Sequence, residues 1–175
     1  MNLPKKYAWL AQEGAPRHLV KALELYGITE VVGSQHNPVI LNWAKEVDLE
    51  NVYKADEIPW CGLFVAVIMK RAGRPIVKDP LWARNWLNFG VASLLPMLGD
   101  VLVFGRDGGG HVGIYVGEDK NNFFVLGGNQ GNQVNVAKIS KKRLLGARTP
   151  IYRVAPTNIR RIFLNIEGKP SENEA

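Results

Sequence analysis

The chain has 175 residues, of which 46% are hydrophobic and 9% aromatic, and its formal net charge is +6. This composition suits one folded domain and excludes global disorder. A single cysteine excludes an internal disulfide framework and any zinc site built from several cysteines.

The positive charge suits an acidic partner, and both nucleic acid and the anionic bacterial envelope meet that description. No nucleic-acid-binding motif is interleaved with the basic residues, so we interpret them as a solvated face and predict no nucleic-acid partner. A nucleic-acid-binding domain remains an alternative suggested by charge alone. Part of the excess lies in the last 40 residues, at Lys138, Lys141, Lys142, Arg143, Arg148, Arg153, Arg160 and Arg161.

The N-terminus is basic, but no apolar core of roughly 7–15 residues follows it, as a signal peptide requires. No run approaches the ~18 apolar residues of a membrane span. We therefore expect synthesis in the cytoplasm without a signal peptide, and no membrane span. Action on the cell wall would then require release by lysis or a dedicated secretion machine.

Two helices are predicted before residue 50. The first covers residues 16–26, where apolar side chains recur at helical spacing and Gly27 follows as a stop. Asn37 is a plausible N-cap, and Pro38 a plausible first residue, of a second helix that ends near Val47.

The stretch around the only cysteine predicts a third helix, which begins at Pro59 and ends near Gly73. Residues 63–69 are almost wholly apolar, which is typical of a helix buried on most sides. Cys61 would lie in the first turn, where free N–H groups and the helix dipole stabilise a thiolate. The cysteine is therefore a candidate nucleophile if another residue supplies a base.

Residues 81–89 predict a short fourth helix, with Trp82 and Trp86 four apart and both in the core. From Asp100 the pattern changes to short β-type runs whose connecting turns are too short for parallel crossovers, so the strands are antiparallel. We predict an α+β domain in which N-terminal helices pack on a C-terminal antiparallel meander of about five or six strands. The domain covers residues 1–156, and residues 157–175 form a C-terminal extension with flexible last residues.

Of the three histidines, His111 has the context expected of a base. It follows a glycine-rich stretch at residues 106–110, interpreted as a flexible loop, and begins a strand. His111, Gly113 and Tyr115 share one face of that strand, and the small Gly113 leaves room beside the imidazole. A cysteine at the N-terminus of a helix packed on the sheet could meet this imidazole.

A base also needs a group that orients its other ring nitrogen. The next strand ends in residues 126–130, and antiparallel pairing through the turn at residues 119–122 places Asn129 beside the start of the His111 strand. The Asn129 amide oxygen can accept from the imidazole N–H. Spacing alone leaves two interpretations open: a Cys61–His111–Asn129 site, or a lone buried cysteine acting as a small hydrophobic residue.

Three motifs carry a family resemblance. Pro59–Val65 (PWCGLFV), Gly110–Gly117 (GHVGIYVG) and Val125–Gln130 (VLGGNQ) resemble those of papain-like cysteine hydrolases of bacteria and phages. The similarity is to the NlpC-type and the cysteine, histidine-dependent amidohydrolase/peptidase (CHAP) groups, and it covers about residues 9–153. One departure is Gly62, where relatives often carry alanine or serine.

The resemblance implies a papain-like fold and a role for each residue of the site. Cys61 would attack an amide carbonyl, His111 would be the base and Asn129 would orient it. The Cys61 backbone N–H is well placed to donate to the oxyanion. Trp60 and Gln130 flank the site, and one interpretation is that both contact substrate. The alternative is core packing for Trp60 and turn hydrogen bonding for Gln130.

The family's typical substrate implies a peptidoglycan hydrolase that cleaves an amide bond of the stem peptide, as an endopeptidase or an N-acetylmuramoyl-L-alanine amidase. A non-catalytic module of the same fold, holding cell-wall peptide or a partner, is the alternative. The expected partner is peptidoglycan, the protein is expected to be a monomer, and an immunity or release partner is conceivable.

We predict no metal and no cofactor. Asp48, Asp56 and Glu57 are too few and too scattered for calcium, which takes six to eight oxygen ligands. A zinc amidase using all three histidines is a further alternative, but the HExxH pattern is absent from the sequence. His18 and His36 are instead predicted as surface or locally hydrogen-bonded residues.

Overall fold

The structure is a computed structural model that describes residues 3–11, 14–31 and 35–171. Three α-helices precede a six-stranded sheet. The helices are α1 (Arg17–Glu24), α2 (Pro38–Glu46) and α3 (Cys61–Arg71), with 3₁₀ helices at Lys5–Ala11, Ala83–Asn88 and Lys141–Arg143. The strands are β1 (Val91–Ser93), β2 (Val101–Arg106), β3 (Gly109–Glu118), β4 (Asn122–Gly127), β5 (Asn135–Ser140) and β6 (Leu144–Thr149).

The predicted ends of α2 are confirmed by its capping contacts. Pro38 is its first residue, and the Asn37 side chain accepts a hydrogen bond from the N–H of Val39 at 2.8 Å. This bond satisfies one of the amide groups that a helix leaves without a partner at its first turn. An N-cap residue followed by proline was therefore sufficient to predict where α2 begins.

The six strands form one antiparallel sheet in the order β1-β6-β2-β3-β4-β5. An α+β architecture with about six antiparallel strands is confirmed, but only β2 to β5 form a simple meander. The last strand, β6, returns to the far side of β2, and β1 adds an edge strand before the predicted start of the sheet. The sequence shows a β-type run at residues 144–149 but not which strand it will pair with.

The glycine-rich stretch at residues 106–110 is not a flexible loop. Arg106 pairs with Gly109 across the β2–β3 hairpin, so only Asp107 and Gly108 remain in the turn. Gly108 has φ of 73°, a conformation that a glycine adopts without a steric penalty. Consequently β3 begins at Gly109, two residues earlier than predicted.

Hydrophobic side chains pack on both faces of the sheet. One face lies under α3, whose residues from Cys61 to Met69 are all buried, as predicted for this helix. A second cluster on the other face includes Phe104 and Tyr115. Helix α3 is therefore packed on the sheet along most of its length.

Residues 157–171, predicted as an extension, lie against the sheet. Phe163 forms a bridge with Glu118 at the end of β3, and the N–H of Ser171 donates to the carbonyl of Lys138 on β5. The buried Glu118 carboxylate also binds Arg161 at 2.8 Å. The last four residues lie outside the described part of the chain, so the predicted flexibility of the terminus stays a prediction.

In the described part of the chain, no helix is both long enough and apolar enough to cross a membrane.

Candidate active site

Cys61 is the first residue of α3. The preceding Trp60 has φ of −117° and ψ of 16° and is the N-cap residue, so Pro59 lies outside the helix rather than at its first position. The predicted start is therefore two residues too early, although Cys61 does lie in the first turn. Its thiol is close to the free amides of a helix N-terminus.

Burial dominates the electrostatics of the thiol. It raises the pKa of Cys61 above its usual value, and this outweighs three lowering effects: a hydrogen bond from the Val112 N–H, the charge of Arg106 and the amides of the first turn. Cys61 is only 4% exposed. The helix N-terminus therefore does not by itself produce a thiolate at neutral pH, contrary to the sequence-based expectation, and a base is required.

His111 is buried near the start of β3 and bonded to a glutamine. Its Nε2 lies 3.0 Å from Oε1 of Gln130. The Gln130 amide nitrogen donates in turn to the carbonyls of Val125 and Asn135, at 3.2 and 2.8 Å. These two carbonyls only accept, so the glutamine must present its oxygen to the imidazole.

This arrangement determines the tautomer of His111. Because an amide oxygen only accepts, Nε2 of a neutral imidazole must carry the proton. The lone pair of the neutral ring then lies on Nδ1, which is the nitrogen able to take up a proton. A neutral His111 held in this way has the protonation state of a general base.

The residue that holds the imidazole is Gln130, and not Asn129 as the sequence predicted. The strand β4 ends at Gly127, and Asn129 has φ of 57°, a left-handed conformation that turns the chain. The regular β3–β4 pairing therefore does not extend to Asn129. The turn instead brings the side chain of the next residue, Gln130, to His111. The longer glutamine also reaches β4 and the start of β5 at once.

Cys61 and His111 are linked through adjacent residues of β3. The N–H of Val112, the residue after His111, is the group that hydrogen-bonds the thiol. Val112 belongs to the cluster under α3, whereas His111 pairs with Phe104 of the second cluster. Regular alternation along β3 would put the imidazole on the Tyr115 face, opposite the helix, so contact between His111 and the thiol requires the ring to reach the helix side at the start of the strand.

Trp60 is a core residue, which is the second of the two interpretations of its role. Its side chain is completely buried, and its ring lies 5.8 Å from that of Trp43. Its Nε1–H donates to Oε1 of Glu30 at 2.5 Å. A methyl group at Gly128 would lie 2.6 Å from the indole, so this glycine lets the chain after β4 pack directly on it.

Gly62 is explained by a close backbone approach. A Cβ at this position would lie 2.1 Å from the Pro80 carbonyl oxygen and 2.9 Å from that of Leu81. The segment before the 3₁₀ helix Ala83–Asn88 therefore crosses α3 at its second residue, directly beside Cys61. The absence of a side chain at Gly62 allows that crossing.

We expect Gly62→Ala to destabilise the protein by about 1–3 kcal/mol, because backbone rather than a flexible side chain must move. Chemical denaturation at pH 7 measures the change in the free energy of unfolding. Gly14→Ala is the matched control, since nothing lies within 4 Å of a Cβ at Gly14. Equal stability of the two variants would show that the crossing segment adjusts freely.

A cleft of about 370 Å³ opens beside the thiol. It contains Trp82, whose side chain is 73% exposed, although the sequence analysis assigned it to the core. The helix begins only at Ala83, so a spacing of four residues does not place Trp82 on the face of the buried Trp86. The lining residues are Ile58, Pro59, Cys61, Leu81, Trp82, Ala83, Arg106, Gly108, Gly109 and Gly110.

His18 is neither a surface residue nor bonded locally. It is fully buried in α1, and its Nε2–H donates to the carbonyl of Gly99 at 2.6 Å. Burial lowers the pKa of His18 to about 4, with the charge of Arg74 acting in the same direction and the Gly99 bond opposing. The residue links α1 to the turn before β2.

Because the pKa of His18 is lower when folded than the ordinary 6.5, the unfolded chain binds its proton first as the pH falls. Stability is therefore unaffected above about pH 6.5 and is lost between that pH and about 4, by about 2 kcal/mol at pH 5. We expect His18→Gln, which keeps an N–H donor, to lose about 2 kcal/mol less between pH 7 and pH 5. Urea unfolding of both proteins at the two pH values tests this, and an equal loss would contradict it.

The remaining histidine, His36, lies just before α2. Its Nδ1 contacts the buried carboxylate of Asp56 at 2.9 Å, and Asp56 also accepts from the N–H of Asn37. Asp56 thus fixes the entry to α2. Within the described residues, no three His, Cys, Asp or Glu side chains come close enough together to hold a metal ion.

No protein-family model matches this chain, and a search of curated proteins finds no significant match.

Proposed function

We propose that the protein is a papain-like cysteine hydrolase that cleaves an amide bond in the stem of peptidoglycan. The observation that carries the proposal is the buried pair of His111 on β3 and Gln130 after β4, with His111 next in sequence to the residue that hydrogen-bonds Cys61. A cysteine at a helix N-terminus packed on an antiparallel sheet is the arrangement expected of that fold. The peptidoglycan substrate follows from the resemblance of the three motifs.

In the proposed mechanism His111 takes the proton of Cys61, and the sulfur attacks the amide carbonyl carbon. The backbone N–H of Cys61 donates to the oxyanion that forms. His111 then protonates the departing amine as the C–N bond breaks, leaving a thioester. Water activated by His111 hydrolyses the thioester to a carboxylate and restores the thiol.

The raised pKa of Cys61 agrees with this sequence of steps. A buried neutral thiol has to be deprotonated in the reaction, and His111, fixed by Gln130 with its lone pair on Nδ1, is able to accept the proton. Gln130 is therefore a positioning residue in this proposal, and Asn129 has no part in it.

The same burial also favours the second candidate, a non-catalytic module in which Cys61 is a small hydrophobic residue. Such a module would hold cell-wall peptide or a protein partner without changing it. Chemistry at the thiol separates the two functions, since only the hydrolase is inactivated by its modification.

The proposal places the protein's action at the cell wall, after release or dedicated secretion, with peptidoglycan and no nucleic acid as its partner. The net charge of +6 would favour approach to the anionic envelope. Incubation with purified peptidoglycan, followed by mass spectrometry of the released muropeptides, tests the proposal directly. A wall that releases no new amine or carboxyl termini would contradict it.

A further inference from the structure

A second surface of the molecule is apolar and has no part in the candidate site. Of the thirteen large apolar side chains that are exposed in the described part of the chain, six lie in two short segments, residues 91–97 and 151–154. Single exposed apolar residues are normal, but a concentration of them marks an interaction surface. These six side chains are called the apolar patch: Val91, Leu94, Leu95, Met97, Ile151 and Val154.

Contacts around the buried Asp100 bring the two segments together. Val91 pairs with Thr149 across β1 and β6, so the second segment begins close to the start of the first. The Asp100 carboxylate accepts hydrogen bonds from the Ser93 hydroxyl and the Met97 N–H of the first segment, at 2.8 and 3.0 Å. It also accepts one from the side chain of Thr149, which precedes the second segment. The two segments therefore lie side by side, before the start of β2.

The side chains of the apolar patch project from the surface instead of lining a groove. Leu94 is 95% exposed and Val154 is 87% exposed, so few neighbouring atoms cover them. The backbone beside them is hydrogen-bonded, since Arg74 donates to the carbonyl of Ile151 at 3.0 Å. A protein partner needs a surface of complementary shape, whereas projecting apolar side chains enter the fluid interface of a bilayer without one. The shape of the patch therefore favours a lipid surface.

The charge around the apolar patch has one sign. Residues 91–99 and 150–163 contain no aspartate or glutamate, and the Asp100 side chain between β1 and β2 is buried. Arg153 is exposed within the second segment. The exposed Arg160 is joined to the first segment, because its carbonyl accepts from the N–H of Leu98 at 2.9 Å. Apolar side chains flanked by arginines complement a bilayer with anionic headgroups.

We propose that the apolar patch docks the protein on the anionic surface of a phospholipid bilayer, with Leu94 and Val154 in the headgroup–acyl boundary and Arg153 against lipid phosphates. The interaction is peripheral and requires no membrane span. It leaves the cleft of the candidate site open, because the patch precedes β2 whereas Arg106, which lines the cleft, is the last residue of that strand. The proposal does not depend on the proposed hydrolase, and its test measures no hydrolysis.

Co-sedimentation of the full chain with vesicles measures its partition coefficient. We expect the wild type to bind vesicles of equal parts phosphatidylglycerol and phosphatidylcholine, and to bind pure phosphatidylcholine far more weakly. Replacing both Leu94 and Leu95 with serine should lower the partition coefficient by about 10-fold or more, and Arg153→Gln should lower it by about fivefold. Leu94→Phe should retain the binding, because an apolar side chain remains at the exposed position.

The matched controls are Val52→Ser and Lys54→Gln, which remove an exposed apolar side chain and an exposed charge between α2 and α3. Both should bind as the wild type does, and circular dichroism checks that every variant is folded. No binding to the anionic vesicles, or an equal loss in Lys54→Gln and Arg153→Gln, would overturn the proposal. A dimer that depends on the two leucines, seen by light scattering without vesicle binding, would also overturn it and assign the patch to a second copy of the chain.

Discussion

Replacing Cys61 with alanine is expected to lower the rate of wall hydrolysis by on the order of 10⁴-fold or more. The proposed reaction passes through a thioester, and no other described side chain of the cleft can supply a comparable nucleophile. The rate of muropeptide release from purified peptidoglycan measures the effect. Undiminished release by the variant would rule out a cysteine hydrolase.

The control for this variant is stability. Cys61 is buried, so truncation to alanine should cost about 1 kcal/mol, and the unfolding transition must be shown to be intact. Cys61→Ser keeps nearly the same volume but introduces a hydroxyl, which is a far weaker nucleophile, so it should be equally inactive. A folded serine variant that retains wild-type activity would contradict the assigned role of the sulfur.

Reagents give an independent test of the same site. An alkylating reagent specific for thiols should inactivate the wild type, because Cys61 is the only cysteine and lies on a cleft. A strong metal chelator should leave the activity unchanged if the reaction runs through the thiol. Loss of activity with the chelator and none with the alkylating reagent would favour the zinc alternative.

Gln130→Ala is expected to lower kcat by about 10²-fold with little change in KM. The imidazole loses the acceptor that fixes its Nε2–H, so the general base, worth about 10² to 10⁴, is no longer held in one orientation. Steady-state rates on soluble muropeptides separate kcat from KM. A purely structural role would lower stability without this selective effect on kcat.

Asn129→Gly is the matched variant for the neighbouring position. Glycine adopts the φ of 57° found at Asn129, so the change removes the side chain without straining the turn. Activity close to that of the wild type is expected. A loss at Asn129 larger than that at Gln130 would restore the role that the sequence motif suggested for Asn129 and would contradict the contact seen here.

Local signals predicted the elements that depend only on a few neighbouring residues. The Asn37–Pro38 pair defined the start of α2, and the turn at residues 119–122 defined the β3–β4 hairpin. The apolar run from Leu63 to Met69 predicted a buried helix. In each case the residues that decide the structure, those of a cap, a turn or an apolar run, are adjacent in the sequence.

Burial of single side chains was decided by the tertiary structure. Trp60 proved to be a core residue because Trp43 covers it, and Trp82 proved to be exposed because the 3₁₀ helix begins one residue after it. His18 became a core residue because the Gly99 turn folds over it. Hydropathy and spacing do not show which distant segment will cover a residue.

For the candidate site, the sequence by itself determined that Cys61 lies in the first turn of a buried helix and that His111 lies at the start of a strand. Only the tertiary structure decided that Gln130 holds the imidazole, because a left-handed residue at Asn129 turns the chain. It also decided that the thiol is neutral, because the desolvation of a packed site outweighs the helix amides and Arg106. Chain turns and desolvation depend on where distant segments pack, and this information lies outside any local motif.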